Sequence, residues 1–289
     1  NPLVTTNNEY YFSATYSETR QGDALADFAY TSQKLEKVAA VRADSDDSAT
    51  ATIKRFTNRF KNLTGNTSGV VGNLTLPKDS SDYSAVIEKL RNSGAQAVFL
   101  AVSPSTATDF IKQAADAGLT NVLYLGTRAW NDSDFIKFVQ KNPQFEVAFP
   151  TEQGQNAETA TSETFLSAYK ALYGESEEPS ERTAVAFDAY CLALDAIERA
   201  YAAVQAEDPD QIISNAATEA EGRAAKEAWQ TAMDTGIPTG TQIRKALSET
   251  TNFQGASGVI NYAGKNEATK SITISHYKAG RELAVYTVE

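Results

Sequence analysis

One cysteine, one histidine and one methionine occur in 289 residues, and each scarcity excludes a class of protein. The lone Cys191 rules out an internal disulfide; among the apolar positions of a helical pattern it reads as a buried, inert thiol. The lone His276, on an alternating terminal stretch, nearly excludes a metal cluster or a Ser–His nucleophilic pair. Neither a Gly-x-Gly-x-x-Gly fingerprint nor a Gly-Lys-Ser/Thr phosphate loop is present. No apolar run approaches the roughly 18 residues of a membrane span. The opening Asn1-Pro2-Leu3-Val4-Thr5-Thr6-Asn7-Asn8 has neither the basic start nor the apolar segment of a signal peptide, so no targeting sequence is expected within these residues. Basic residues are also few. Lys and Arg number 26 against 37 Asp and Glu, and a formal charge of −11 argues against nucleic acid or an anionic membrane face as the main partner.

What is present is a chain long enough for one large domain or two lobes, with 42% hydrophobic residues to fill real cores. Its organising stretch is 82–127. In the helical pattern 82–92, Tyr83, Val86, Ile87 and Leu90 recur at the three-and-four spacing of a single apolar face. The strand-like runs 95–102 and 121–126 are apolar at nearly every position, as expected of parallel strands covered on both sides. Gly94 and Gly118 close the helical patterns 82–92 and 106–117. Earlier in the chain, 10–12 reads as a short strand or crossover, 19–33 as a helix, 37–41 as a strand and 49–62 as a helix whose first turn Asp44-Ser45-Asp46-Asp47-Ser48 can cap. A loop and strand at 65–76, a helix at 131–141 and a strand at 145–149 bring the first half to about five βα units. Three Asn-x-Ser/Thr triplets between Asn62 and Thr75 imply little on sequence grounds alone, because such triplets occur by chance.

The second half changes character. Helical patterns dominate 157–206, followed by a polar, Ala- and Glu-rich excursion at 207–235 and a short helix at 241–248. The end, at 258–262, 271–277 and 283–288, alternates with period two around turns at Gly264 and Gly280, the manner of antiparallel strands. The helices of 160–205 have an apolar face but no sequential sheet to lay it on.

The order of these pieces resembles the type I periplasmic solute-binding proteins, the leucine/isoleucine/valine-binding receptors of ABC transporters. The matching residues are spread along the chain: Asn1-Pro2-Leu3-Val4-Thr5, Tyr11-Phe12, Gln21 to Ala26, Asp82-Tyr83-Ser84 with Ile87, Gly94 to Leu100, Ala114 to Leu119, Phe187-Asp188-Ala189-Tyr190 and Phe253 to Ile260. The resemblance implies an α/β fold built on a doubly wound parallel-sheet lobe, with the other lobe incomplete. Residues 13–150 with 256–289 would be the second lobe; residues 1–12 and 151–255 would be a mainly helical remnant of the first, whose parallel sheet in relatives is formed largely by a preceding segment. Leaving that remnant's Phe, Tyr and Leu side chains in water costs about 1.5–3 kcal/mol each. The chain is therefore expected to self-associate or to repack these helices against its own second lobe.

The same resemblance implies a non-enzymatic, extracytoplasmic receptor, periplasmic or lipid-anchored at the cell surface, which delivers a small amino-acid-like or carboxylate solute to a membrane permease and needs no cofactor or metal. In the family the solute sits between two lobes, and three second-lobe turns reach it. They are represented here by Asp44 and Ser48, by Ser103, and by Thr127, Arg128 and Trp130. Relatives often place an aromatic residue where Ser48 stands, and amino-acid binders commonly place Asp or Glu where Arg128 stands. An arginine is permanently charged and donates only, so at that position it favours a carboxylate over an ammonium. Arg128 reads equally as a solvated surface side chain, and Trp130 equally as a packing aromatic. Two other functions stay open: a sensory or interaction module on the same fold, and, remotely, a Mg²⁺-dependent phosphatase using Asp44, Asp46 and Asp47, which helix capping explains without metal.

Overall fold

The computed structural model describes residue 5 and residues 8–44, 46–77, 80–151, 159–283 and 286–288. Residues 1–4, 6–7, 78–79, 152–158, 284–285 and 289, and Ser45 within the first of the three turns, lie outside the described residues. The chain divides into two units: residues 17–152 with 271–289, and residues 2–16 with 153–270. The piece 256–289 is thus split, with 256–270 in the helical unit and 271–289 in the sheet unit.

The sheet unit is built on β1 (Val38–Arg42), β2 (Val70–Thr75), β3 (Ala97–Ala101), β4 (Leu123–Gly126) and β5 (Glu146–Thr151), joined in the order β2-β1-β3-β4-β5 with every pairing parallel. Every residue of β3 and β4 is buried, as an uninterrupted apolar run requires of an interior parallel strand. Beyond β5 the sheet turns antiparallel through β8 (Ile272–Lys278), which pairs with β9 (Arg281–Glu282) and β10 (Tyr286–Val288). Ala279 and Gly280, both at positive φ (52° and 73°), make the two-residue β8–β9 turn.

Five helices serve this sheet: α1 (Glu18–Asp27), α2 (Asp47–Thr64), α3 (Ser84–Ser93), α4 (Pro104–Asp116) and α5 (Ser133–Lys141). Helix α1 continues into a π-helical turn, Phe28–Ser32. It lies against α2 so closely that a Cβ on Gly22 would fall 2.3 Å from the Thr52 carbonyl oxygen. Two ion pairs of equal sequence separation, Asp23–Arg55 and Asp27–Arg59, run along the same seam.

The helical unit holds α6 (Ala160–Tyr173), α7 (Glu181–Ala206), α8 (Glu219–Thr235) and α9 (Gly240–Ser248) with a two-stranded ribbon, β6 (Phe253–Gly255) and β7 (Gly258–Ile260). Its anchor is Asp188 on α7, fully buried, whose carboxylate accepts the backbone amides of Ala256 (2.6 Å) and Ser257 (2.8 Å) and the Ser257 hydroxyl. The Lys270 ammonium donates to that same hydroxyl at 2.6 Å, so a positive charge faces the buried carboxylate across one shared hydroxyl. Gly255 is required beneath it, since a Cβ there would stand 2.6 Å from the carboxylate. Cys191, one turn on, is half-buried, and burial together with the Asp188 charge pushes its thiol pKa up, away from reactivity. Residues 10–12 are not a strand. The Asn8 side chain accepts the Tyr10 amide and its carbonyl accepts the Tyr11 amide, curling the segment into a turn, and only Ser13 bridges another extended stretch.

Along α7, Tyr190, Leu194 and Ile197 are exposed, Tyr190 to 65%, and Phe187 is exposed on one side while its ring packs on Phe165 at 4.9 Å, so much of the apolar stripe read from the sequence stays in water. Among the described residues no helix is long and apolar enough to cross a membrane.

The one histidine is structural. His276 on β8 is buried, stands edge-on to Phe28 and shares a 2.8 Å hydrogen bond with Glu146 on β5, whose other oxygen takes Lys278 at 2.9 Å. The His276 hydrogen bond, with that of Lys278, outweighs burial and holds the Glu146 carboxyl below its ordinary value of 4.5. A carboxyl depressed in the folded state contributes stability above its unfolded pKa, and that contribution is lost as pH falls through the folded value. Urea unfolding at a series of pH values should therefore show Glu146→Gln most destabilised relative to the parent above pH 4.5, with the gap narrowing below it; a gap independent of pH would contradict this.

Candidate functional site

Strand β3 lies between β1 and β4, and the registers pair Arg42 with Ala101 and Leu100 with Gly126. The three parallel strands therefore end in line, and the turns that follow them emerge side by side at the carboxyl edge of the sheet, the place where open α/β sheets hold ligands. These are the turns that carry Asp44 and Ser48, Ser103, and Thr127 with Arg128 and Trp130.

Several polar side chains here are occupied in building the turns. Asp46 caps α2, its Oδ1 accepting the Ala49 amide at 2.9 Å. Ser103 caps α4, its Oγ accepting the Thr106 amide at 3.2 Å while meeting the Ser105 and Thr106 hydroxyls. Asp44 is exposed in the first turn. Thr127 is half-buried, and its carbonyl accepts the Trp130 amide to close a short 3₁₀ turn, Arg128–Trp130.

Ser48 and Arg128 converge on one helix end. The Ser48 hydroxyl donates to the Glu18 carboxylate, and the Arg128 backbone amide donates to Gln21 Oε1 at 2.8 Å. Gln21 is only 4% exposed, so the first turn of α1 grips the base of the Arg128 turn from inside the protein. Burial opposes ionisation of Glu18; the Ser48 hydrogen bond and the Arg128 charge are among the groups that outweigh it and hold that carboxyl below its ordinary value. Glu18 and Gln21 are the residues that sequence reading missed. Gln21 lies in a matched stretch and Glu18 opens a helix, but neither position advertises which turn it faces.

Trp130 is fully buried. Its Nε1 donates to the Val102 carbonyl at 3.0 Å and its ring centroid lies 4.7 Å from that of Phe135, so the indole ties the end of β3 to the end of β4. Gly126 makes room for it: a Cβ there would fall 2.0 Å from the ring. Packing accounts for this tryptophan, and it presents no face to a ligand. What the edge offers is a guanidinium beside a carboxylate, with hydroxyls and an acidic rim, suited to holding a small charged solute. Among the described residues no group of three or more His, Cys, Asp or Glu is gathered that could hold a metal ion.

Comparison with known proteins agrees with this architecture. A family model described as periplasmic binding protein matches residues 4–281. Among similar solved structures are a leucine binding protein, LivK, from Thermotoga maritima (23% identity, 99% of this chain and 70% of that one, TM-score 0.71) and the branched-chain amino acid transporter substrate binding protein LivJ from Streptococcus pneumoniae in complex with isoleucine (20%, 97% and 68%, 0.67). A third is an ABC transporter solute binding protein from R. palustris in complex with benzoate (15%, 94% and 63%, 0.60). The chain thus spans roughly two thirds of the length of these structures, whose identities are low enough that the likeness is one of fold. A search of curated proteins finds no match.

The two central residues of the third turn should separate cleanly by mutation. Trp130→Ala removes a buried aromatic and should cost about 3–5 kcal/mol in urea unfolding. Arg128→Ala, which loses only a partly exposed charge interaction, should cost about 1 kcal/mol or less. Equal losses would contradict the division of the turn into a packed anchor and a presented charge.

Proposed function

The chain belongs to the periplasmic binding protein family, and on that footing we propose that it is an extracytoplasmic solute receptor of an ABC importer. The sheet unit is read as the second lobe of such a receptor and the helical unit as first-lobe structure, with a membrane permease as the receiving partner. The solute class follows from one observation: the turn after β4 carries the cation Arg128, clamped through its backbone amide to buried Gln21. A permanent, donor-only charge at this edge complements a carboxylate and repels an ammonium. Glu18 beside it gives the guanidinium a resting partner that a ligand carboxylate can share or displace. A small carboxylate fits this better than a simple aliphatic amino acid, and the benzoate complex of one structural relative shows that this fold accommodates a carboxylate without an amine.

A thermal-shift series of aliphatic and aromatic carboxylates, amino acids and amides tests the assignment. A carboxylate at a hundred times its dissociation constant should add about 2.7 kcal/mol of stability, and Arg128→Glu should abolish that response. A response to amino acids alone overturns the solute class; no response to any solute turns the reading toward a sensory or interaction module on the same fold.

We also propose that a second copy of this chain covers the α7 stripe. Phe187, Tyr190, Leu194 and Ile197 are spaced three, four and three apart, the pattern of a helix–helix seam, and Leu172 and Tyr173 on α6, 75% and 60% exposed, add to the uncovered apolar surface. Sedimentation should show concentration-dependent assembly that Tyr190→Glu with Leu194→Glu abolishes. A monomer at all concentrations removes self-association.

A further inference from the structure

The three Asn-x-Ser/Thr triplets between Asn62 and Thr75 are not equivalent in the folded chain. Asn62 sits inside α2, and the hydroxyl of its partner Thr64 donates to the Phe60 carbonyl at 2.9 Å. Asn73 is held in the β1–β2 ladder, opposite Ala40. A further triplet, Asn131-Asp132-Ser133, has its serine as the first residue of α5. Asn66 and Asn131 both lie outside helix and strand on exposed stretches, but Ser133 is built into an α-helix, whereas the Asn66 triplet, just after Gly65 at φ 64°, runs only into the short 3₁₀ turn Thr67–Gly69. The Asn66 Oδ1 accepts the backbone amide of Ser68 at 2.8 Å, which bends the triplet so that the serine returns toward the asparagine side chain. Its Nδ2 makes no hydrogen bond among the described residues.

We propose that Asn66 is an N-glycosylation acceptor. The inference rests on the extracytoplasmic reading above, since the modification needs a sugar donor outside the cytoplasm. The co-reactant is an oligosaccharide linked through its anomeric carbon to a lipid phosphate. A bond forms between Asn66 Nδ2 and the anomeric carbon, the bond from that carbon to the phosphate oxygen breaks, the lipid phosphate leaves with the electron pair, and one amide proton is lost; nothing is oxidised or reduced. The position is compatible with solute binding. Asn66 precedes β2, so it stands at the amino end of the parallel sheet, whereas the turns bearing Ser48, Ser103 and Arg128 leave its carboxyl end. β2 is also a terminal strand, paired only with β1, and a bulky hydrophilic chain beside it would shield an open edge from pairing with other chains.

The test is peptide mass mapping of the protein isolated from its own cells, with fractionation to show where it resides. Trypsin releases residues 62–78 as one peptide. That peptide should carry a sugar mass that Asn66→Gln and Ser68→Ala each remove, while Asn62→Gln and Asn73→Gln retain it. Ser68→Ala keeps the backbone amide that Asn66 accepts, so its effect reads the acceptor triplet and not the turn. An unmodified peptide in protein recovered outside the membrane overturns the glycan and leaves the receptor reading standing. Recovery only from the cytoplasm overturns both.

Discussion

The interior parallel strands β3 and β4 have no polar face, and the rest of the sheet unit follows from that constraint. With β3 and β4 buried at every position, helices must cover both sides of the sheet, and each connection must carry its polar groups to one end or the other. Because β1, β3 and β4 end in register, the polar groups of three successive turns are delivered to a single edge. The candidate site needs no dedicated scaffold; it is where the apolar runs stop.

Within that frame, precision comes from places where a side chain is absent. Gly22 lets α1 touch α2, which sets the first turn of α1, and hence Glu18 and Gln21, against the turns after β1 and β4. Gly126 admits the indole of Trp130, which locks the ends of β3 and β4 together. Gly255 admits the Asp188 carboxylate in the other unit. At each position an added methyl group would meet atoms already in van der Waals contact, and a packed interior does not absorb such an intrusion cheaply.

Membership of the periplasmic binding protein family and the chemistry of the edge support each other. A receptor must present its recognition groups on rigid supports while leaving them free to exchange partners. In the proposed receptor, Trp130 and the Gln21 contact would supply the rigidity, and Arg128, half-buried and close enough to Glu18 to hold its carboxyl down, would supply the exchangeable charge. Fold alone does not name the solute, since solved structures of similar fold hold isoleucine in one case and benzoate in another.

The sequence by itself determined the βα alternation, the strands hidden on both sides, the capping of α2 by an aspartate and the placing of the three turns, because these depend on local periodicity and on short-range hydrogen bonds that a reader can count along the chain. The resemblance picked out Phe187 to Tyr190 and Phe253 to Ile260 as matching stretches, but did not show that they meet. That Asp188 holds the amides of Ala256 and Ser257, that Trp130 is an anchor and not a platform, that residues 10–12 curl into a turn, and that 256–270 belongs to the helical unit were decided only by tertiary structure. So was the convergence of Ser48, Arg128, Glu18 and Gln21. The physical reason is common to all of them: a buried polar group takes whichever partner the packing of distant segments brings within hydrogen-bonding reach, and sequence spacing carries no record of that partner.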